Sequence, residues 1–400
     1  MLFLLGLLSG LAALSTDMYL PAIPTLQALW HISLAEANIS VVAFFICFSV
    51  FLLVHGPLSD RIGRKPVLVW GLGLYVASCF VCAGAVSIWM LIVGRVVQAV
   101  GAAAAAALSL ALAKDLYTGL ERQKVLAYIG VIVPLCPMIA PMIGGELLLF
   151  MSWRGIFVCQ GVAGLLVFIG CLRLREPLVD FTSGGVVSVI RRYGVLCGNT
   201  RFVVLNFALT FMGMGYFGFV GGSSAIYITG FGVSEQAYGF LFGLNGFAIM
   251  AGSFLSSRLC ANMAGAVLLR CSLVGMVVAS IVLVATGGPS AESVALSMFA
   301  ITVFYGMSRP VSNHLLLELV QHDVGAAASL MTFSFFAWGA VAMLLISCNW
   351  ESKAGMLGWL GLAGALVPLM AVLAMARMRP LAEAVAADDL AAADSAGDTD

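Results

Sequence analysis

Gly56-Pro57-Leu58-Ser59-Asp60-Arg61-Ile62-Gly63-Arg64-Lys65-Pro66 is the densest charged knot in the chain, and long apolar runs flank it on both sides. Its glycines and prolines predict a tight turn, and the flanks predict a membrane helix on either side of it. Asp60 is placed to accept hydrogen bonds from free N–H groups at a nearby helix start, while Arg61, Arg64 and Lys65 face water and an anionic lipid surface. For the charges taken alone, a solvated cluster is the plainer alternative; the Gly/Pro framing favours a built corner.

Composition points the same way. The 400 residues are 62% hydrophobic and only 10% charged, with a mean hydropathy of +1.09, whereas soluble domains are roughly 25% charged. No water-soluble fold of this size hides so much apolar surface, so the bilayer is the solvent for most of the chain. The 19 basic and 19 acidic residues cancel to zero net charge, which offers no support for a nucleic-acid partner. Ten cysteines show neither metal-ligand clustering nor the density of a disulfide scaffold, and Cys136, Cys159 and Cys171 read as small apolar fillers.

A spanning helix needs about 20 mostly apolar residues. Such runs lie near 2–24, 37–58, 67–87, 89–113, 125–148, 153–173, 202–224, 236–257, 266–287, 293–316, 325–347 and 354–376, which predicts an all-α protein of twelve membrane helices in two sets of six. The expected organisation is a first bundle over 1–173, a linker over 174–201, a second bundle over 202–379 and an acidic tail over 380–400. The linker holds Pro177, Asp180, Gly184, Gly185 and several arginines and is expected to carry a short surface helix; the tail is expected to be disordered. The first apolar run has no basic residues ahead of it and continues through Asp17, so it reads as a span rather than a cleaved signal peptide.

Charge bias sets an expected orientation. With the N-terminus in the cytoplasm, Arg61, Arg64, Lys65, Lys114, Arg122, Lys124, Arg173, Arg175, Arg191, Arg192, Arg201, Arg258, Arg270, Arg377 and Arg379 all fall inside. Only Arg154 and Lys353 fall outside, and Arg95 and Arg309 lie within spans. That is the split of the positive-inside rule, and an even number of helices returns the C-terminus to the cytoplasm.

Charges within the spans carry the functional reading. Asp17 is the only side chain charged at neutral pH between Met1 and Pro24, and a charge at mid-bilayer costs about 2.5–3.5 kcal/mol on insertion scales, so it should face the protein interior or a wet cavity. There it can load and release a proton; a cap at the outer helix end is the alternative. Arg95 is the expected partner or switch element, with Gln98 one turn later on the same face; satisfaction of backbone carbonyls is the alternative. Glu146 reads as a snorkelling edge residue, with a second proton site as the lesser reading. Arg309, His314 and Glu318 form a candidate polar network. Gly94, Gly101 and Ala102 to Ala107 make a small-residue face for close packing, and Pro134, Pro137 and Pro141 remove backbone donors from the fifth span, where Gly144 and Gly145 allow a close crossing. Tyr19, Gln98, Asn206, Met212, Met214, Tyr216, Phe219 and Asn245 are candidate cavity walls, although with 25 phenylalanines and 19 methionines most such side chains in any selection must be ordinary packing. His31, His55, His314 and His322 are scattered, and no GxxxxGK[ST] loop is present, so neither a catalytic constellation nor built-in ATP hydrolysis is expected.

GPLSDRIGRKP resembles the loop signature of the major facilitator superfamily, found between its second and third helices. Asp17-Met18-Tyr19-Leu20-Pro21-Ala22-Ile23-Pro24 resembles the first-helix motif of the bicyclomycin/chloramphenicol-resistance branch of its drug:proton antiporters. Gly94-Arg95 with Gln98 and Gly101, Ala140-Pro141-Met142-Ile143-Gly144-Gly145, and Trp153-Arg154 extend the likeness over most of the first half. The second half matches mainly by helix count, and around Gly252 to Arg258 Ser256 and Ser257 stand where an acidic residue is expected. The resemblance implies a proton-coupled exporter of small organic compounds, with protons as coupling ion, no other cofactor, and a monomeric working unit in the lipid of a bacterial inner membrane. Asp17 and Arg95 would couple protons, and Gly56, Asp60, Arg61, Gly63, Arg64, Pro137, Pro141 and Gly145 would serve gating. Export of a polar metabolite, or a receptor that moves nothing, are the alternatives.

Overall fold

The computed structural model describes residues 2–178, 186–320 and 323–397, with side chains left out at 186–190 and beyond Met375. Asp180, Gly184, Gly185 and His322, named above, lie outside the described residues, as do residues 398–400. Among the described residues, twelve helices are long and apolar enough to span a membrane. They are α1 Leu2–Trp30, α2 Leu34–Ile62, α3 Arg64–Ala83, α4 Ile88–Leu116, α5 Gly119–Phe150 and α6 Trp153–Leu172, then α7 Thr200–Gly230, α8 Glu235–Leu259, α9 Gly265–Thr286, α10 Ala291–Glu318, α11 Val324–Ser347 and α12 Lys353–Met375. A short helix, Val186–Gly198, lies in the linker.

Most helices outrun the apolar runs that foretell them, because hydropathy reports only the hydrocarbon-facing length. Polar caps lie outside it. Ser33 and Glu36 form a capping box at the start of α2, and Ser87, Asn199, Ser234 and Ser290 accept from backbone N–H groups in the first turns of α4, α7, α8 and α10. The last helix continues as backbone to Gly397; the alanines beyond Pro380 are strong helix formers.

Two spans are interrupted. α1 is a helix to Asp17, a 3₁₀ turn over Leu20–Ala22 and a second helix Ile23–Trp30. Pro21 and Pro24 lack the N–H groups that would reach back to the carbonyls of Asp17 and Leu20, so the chain tightens instead, with Ala22 N–H bonded to Tyr19 O at 3.0 Å. α7 breaks between Thr210 and Gly213 and ends in a π turn over Ala225–Gly230.

Packing repeats with an offset of six helices. In the first half α2 packs on α4, α3 on α4 and α6, and α1 on α5; in the second α8 packs on α10, α9 on α10 and α12, and α7 on α11. The halves meet chiefly through α5 against α8 and α2 against α11, pairs that the same offset exchanges. The protein is therefore an all-α membrane protein of two related six-helix bundles.

Candidate functional site

The Gly56–Pro66 corner is tighter than a loop. Helix α2 runs through Gly56, Pro57 and Asp60 to Ile62, and Gly63 alone separates it from α3. Gly63 has φ +106°, a value that side chains disfavour. Arg64 is 8% exposed rather than turned to water. It is ion-paired with Asp60, bonds the Asp115 carboxylate at 2.8 Å and donates to Ser59 Oγ at 2.6 Å. The free N–H groups at the start of α3 are taken by Glu176, which accepts from Arg64 N and Lys65 N at 2.9 Å each. The role foreseen for Asp60 thus falls to Glu176, because Asp60 sits within α2 one turn before Arg64 and meets its side chain instead. Arg61 is exposed.

Between the halves lies a cavity of about 1040 Å³. Its mouth is at the Gly63 end of the molecule, where Gly56, Pro57 and Asp60 of α2 face Asp323, Gly325 and Ser329 at the start of α11, with Arg192 and Tyr193 of the linker helix beside them. Arg192 Nε is 3.8 Å from Asp323 Oδ1. The depth is lined by Thr16 and Asp17 of α1, Pro134 and Pro137 of α5, and aromatic rings from both halves. Phe45 of α2 stacks on Phe336 of α11 at 5.1 Å and meets Phe217 of α7 edge-on at 5.3 Å.

The opposite end is sealed. Asn38 of α2, fully buried, donates to Gly221 O of α7 and Ser347 Oγ of α11, both at 2.7 Å. Gln236 of α8 donates to Gly145 O of α5 at 3.1 Å. A Cβ at Gly144 would lie 2.1 Å from Met18 O, and one at Gly145 2.4 Å from Glu235 O, so glycine is required where α5 crosses α1 and α8. Among the described residues, the cavity lining reaches the surface at the Gly63 end.

Asp17 is 4% exposed, lines the cavity and accepts from Thr16 Oγ1 at 3.0 Å. Arg95 is wholly buried behind it. The two form no ion pair among the described residues. Arg95 Nη1 donates instead to Ser15 O at 2.9 Å and Gln98 Oε1 at 2.5 Å, and its guanidinium lies 4.3 Å from the Phe44 ring centre and 5.4 Å from that of Tyr19. Gln98 Nε2 passes the network on to Gln160 Oε1 at 3.0 Å and Cys79 Sγ at 3.1 Å.

Other side chains singled out in the sequence are dispersed. Tyr216 lines the cavity, whereas Tyr19 and Gln98 are buried in the network around Arg95 and stand back from the cavity. Asn206 bonds Ser334 at 2.8 Å, Met212 Sδ accepts from Ser308 at 3.2 Å and Asn245 Oδ1 accepts from Thr302 at 2.9 Å, all buried within the second half, where apolarity alone could not tell core from cavity wall. Met214 and Phe219 are also buried. Pro137 faces the cavity, while Pro141 and Gly145 abut α8. Glu146 is exposed. His314 and Glu318 pair at 3.1 Å without Arg309, whose guanidinium lies 4.2 Å from the Phe335 ring centre. Sequence reasoning missed Asn38, Gln160 and Glu176; a polar side chain within an apolar run was the available signal for the first two, and none marked Glu176.

A family model described as Major Facilitator Superfamily matches residues 5–343. The uncharacterized MFS-type transporter YdgK of Bacillus subtilis (strain 168) is 31% identical over 385 residues, 94% of this chain and 95% of that protein. A bicyclomycin resistance protein homolog of Haemophilus influenzae is 28% identical over 374 residues, 89% of this chain and 91% of that one. The crystal structure of a D-xylose-proton symporter superposes with a TM-score of 0.74 at 15% identity, covering 93% of this chain and 95% of that one, a likeness of fold alone.

Proposed function

Since the chain belongs to the Major Facilitator Superfamily, we propose that it is a proton-coupled exporter of small, largely apolar organic compounds of the antibiotic class. Membership makes it a multi-pass secondary transporter of a bacterial inner membrane that moves small molecules by alternating access, and not an enzyme. The proposal adds direction, coupling ion and cargo.

The observation that carries it is the cavity wall. Asp60 and Asp323 at the mouth have cationic partners in Arg64 and Arg192, which leaves Asp17 as the cavity's carboxylate without one among the described residues. Around it stand Phe45, Phe48, Phe217, Phe335, Phe336 and Tyr216. Such a wall suits aromatic or lipophilic compounds. A sugar or nucleoside would need its many polar groups matched by buried hydrogen-bonding partners; the buried polar side chains in the lining are Thr16, Asp17 and Ser109, and the others stand partly exposed. The relative named for bicyclomycin resistance supports the same class.

In the proposed cycle the Gly63 end is cytoplasmic, as the basic residues there favour, and both termini lie inside. Substrate enters the open cavity with Asp17 ionised. The halves rock about α2–α11 and α5–α8, the cavity opens outward, and a proton replaces the substrate on Asp17. Arg95 senses this change from α4. At 100 mV one moved charge supplies about 2.3 kcal/mol, or roughly fifty-fold accumulation, before any pH gradient is counted. The working unit is a monomer in lipid.

Flux in proteoliposomes, with a panel of antibiotics and metabolites, tests the proposal. Outward drug movement should follow an imposed pH gradient and vanish when the gradient is collapsed. Asp17→Asn should remove the gradient-driven part, leaving at most about one hundredth of it. Flux indifferent to the gradient, or preserved in Asp17→Asn, would defeat the antiport mechanism.

A further inference from the structure

The polar network behind Asp17 has a member that the cycle above does not use. Gln160 of α6 is 3% exposed and joins three elements. Its Oε1 accepts from Gln98 of α4 at 3.0 Å, and its Nε2 donates to Leu14 O at 3.2 Å and Ser15 O at 3.3 Å of α1.

Those two carbonyls are special because the first segment of α1 stops at Asp17. The last carbonyls of a helix have no partner within it. Met18 N–H still reaches Leu14 O at 3.4 Å, but Tyr19 N–H turns to Thr16 O at 3.3 Å and leaves Ser15 O without an intrahelical bond. Arg95 Nη1 and Gln160 Nε2 take its place. Arg95 therefore stands as a cation at the negative end of a helix dipole, a favourable position for a charge without a carboxylate. Its Nε and Nη2 find no hydrogen-bond partner among the described residues. A guanidinium with two idle donors, next to the helix end that bears Asp17, has reason to move, and the two glutamines restrain it.

We propose that Gln160 is a positioning residue: with Gln98 it pins Arg95 to the carbonyl end of the first α1 segment and so keeps the guanidinium off the Asp17 carboxylate. Gln160 thereby sets how readily Asp17 holds a proton in the state open at the Gly63 end. The titratable groups that bear on Asp17 are Arg95 on α4, Cys136 on α5, Tyr216 on α7 and Tyr238 on α8, and of these only arginine is charged near neutral pH. The neighbouring α3 brings Tyr75, which bonds Ser15 Oγ at 2.7 Å, and α6 brings Gln160, which does not titrate. Removing the restraint thus changes one charged neighbour of Asp17.

This inference rests on Asp17 as the proton site, so its test reads that proton without reading transport. Dicyclohexylcarbodiimide reacts with protonated carboxyl groups in apolar surroundings, and labelling of Asp17 against pH is followed by mass spectrometry on the purified full chain, with Asp17→Asn as the blank. In Gln160→Leu the pH of half-labelling should fall by about one unit, the scale of a newly adjacent opposite charge. Adding Arg95→Ala to that variant should abolish the fall. Gln160→Glu, which keeps the acceptor for Gln98 and adds a charge that holds Arg95, should show no fall; it also serves if the leucine variant does not fold. A half-labelling pH unchanged in folded Gln160→Leu, a fall that survives Arg95→Ala, or a full-unit fall in Gln160→Glu would overturn the proposal. If labelling shifts as expected while flux ignores the pH gradient, the positioning role stands and proton-coupled export falls.

Discussion

The two halves share a helix plan but divide the charges between them unequally. Arg95 on α4 and Arg309 on α10 occupy corresponding helices, yet one is wholly buried in a four-helix hydrogen-bond network and the other lies over the rings of Phe335 and Tyr305. Likewise the α2–α3 corner ties Asp60, Arg64, Asp115 and Glu176 together. At the α8–α9 corner Ser256 Oγ has no partner among the described residues and Arg258 rests 5.2 Å from the Phe254 ring centre. Both α1 and α7 are broken, but only α1 carries a carboxylate at its break. The first half concentrates the buried ionic contacts and the second supplies most of the aromatic wall. Duplicated architecture leaves each copy free to specialise, because the shared packing requires only matching small and apolar faces.

The sharpest way to break this comparison is at the seal, where both halves contribute donors. Asn38 places a buried amide in two hydrogen bonds to the second half, whereas Gln236 returns one, partly buried, to the first. Each such bond is worth about 1 kcal/mol. Asn38→Ala should therefore move the equilibrium toward the state open at the opposite end by roughly thirty-fold, and Gln236→Ala by about five-fold. Solvent accessibility of a single cysteine placed at Gly56, which lines the mouth, reports the shift. Equal effects of the two substitutions would mean that the halves share the seal evenly.

At the corners the expected contrast is smaller. Closing the mouth brings the Asp60 end of α2 toward the start of α11, and the ion pairs around Arg64 keep that end in shape. Asp60→Asn should lower the initial rate of flux about ten-fold, on the order of 1.4 kcal/mol, with protein abundance unchanged. Ser256→Ala in the second corner should change it less than two-fold. Comparable losses at both corners, or full flux in Asp60→Asn, would remove the asymmetry.

Much of this is legible in the sequence, and the boundary has a physical cause. Twelve apolar runs and the charge split reveal the helices, since membrane insertion reads the same quantities. Asp17 and Arg95 announce themselves as charges where charge is costly. Their separation does not: Arg95 is expected as the partner or switch element of Asp17 with backbone carbonyls as the alternative, and the choice falls to Ser15 O only because Tyr19 N–H turns to Thr16 O, which no residue letter marks. Asn206 and Asn245 look like cavity residues because a polar side chain in a span marks either a cavity or a neighbour able to satisfy it, and Ser334 and Thr302 are such neighbours. Glu176 gives no signal because its role depends on α6 ending beside the start of α3.

The smallest expected effect bears on what the second half's arginine is for. Arg309 meets no carboxylate among the described residues, and its guanidinium lies against Phe335, which lines the cavity. That contact is worth about 0.5–1 kcal/mol where water still reaches the cation. Arg309→Leu should therefore loosen the ring and raise the apparent KM for an aromatic substrate by roughly two- to five-fold, leaving the pH profile of flux in place. Arg95→Leu should instead displace that profile, because its charge stands near Asp17. Kinetics at several pH values separate the two: a KM change without a pH change assigns Arg309 to the aromatic wall, whereas a displaced pH profile in Arg309→Leu would show that the second half also takes part in proton coupling.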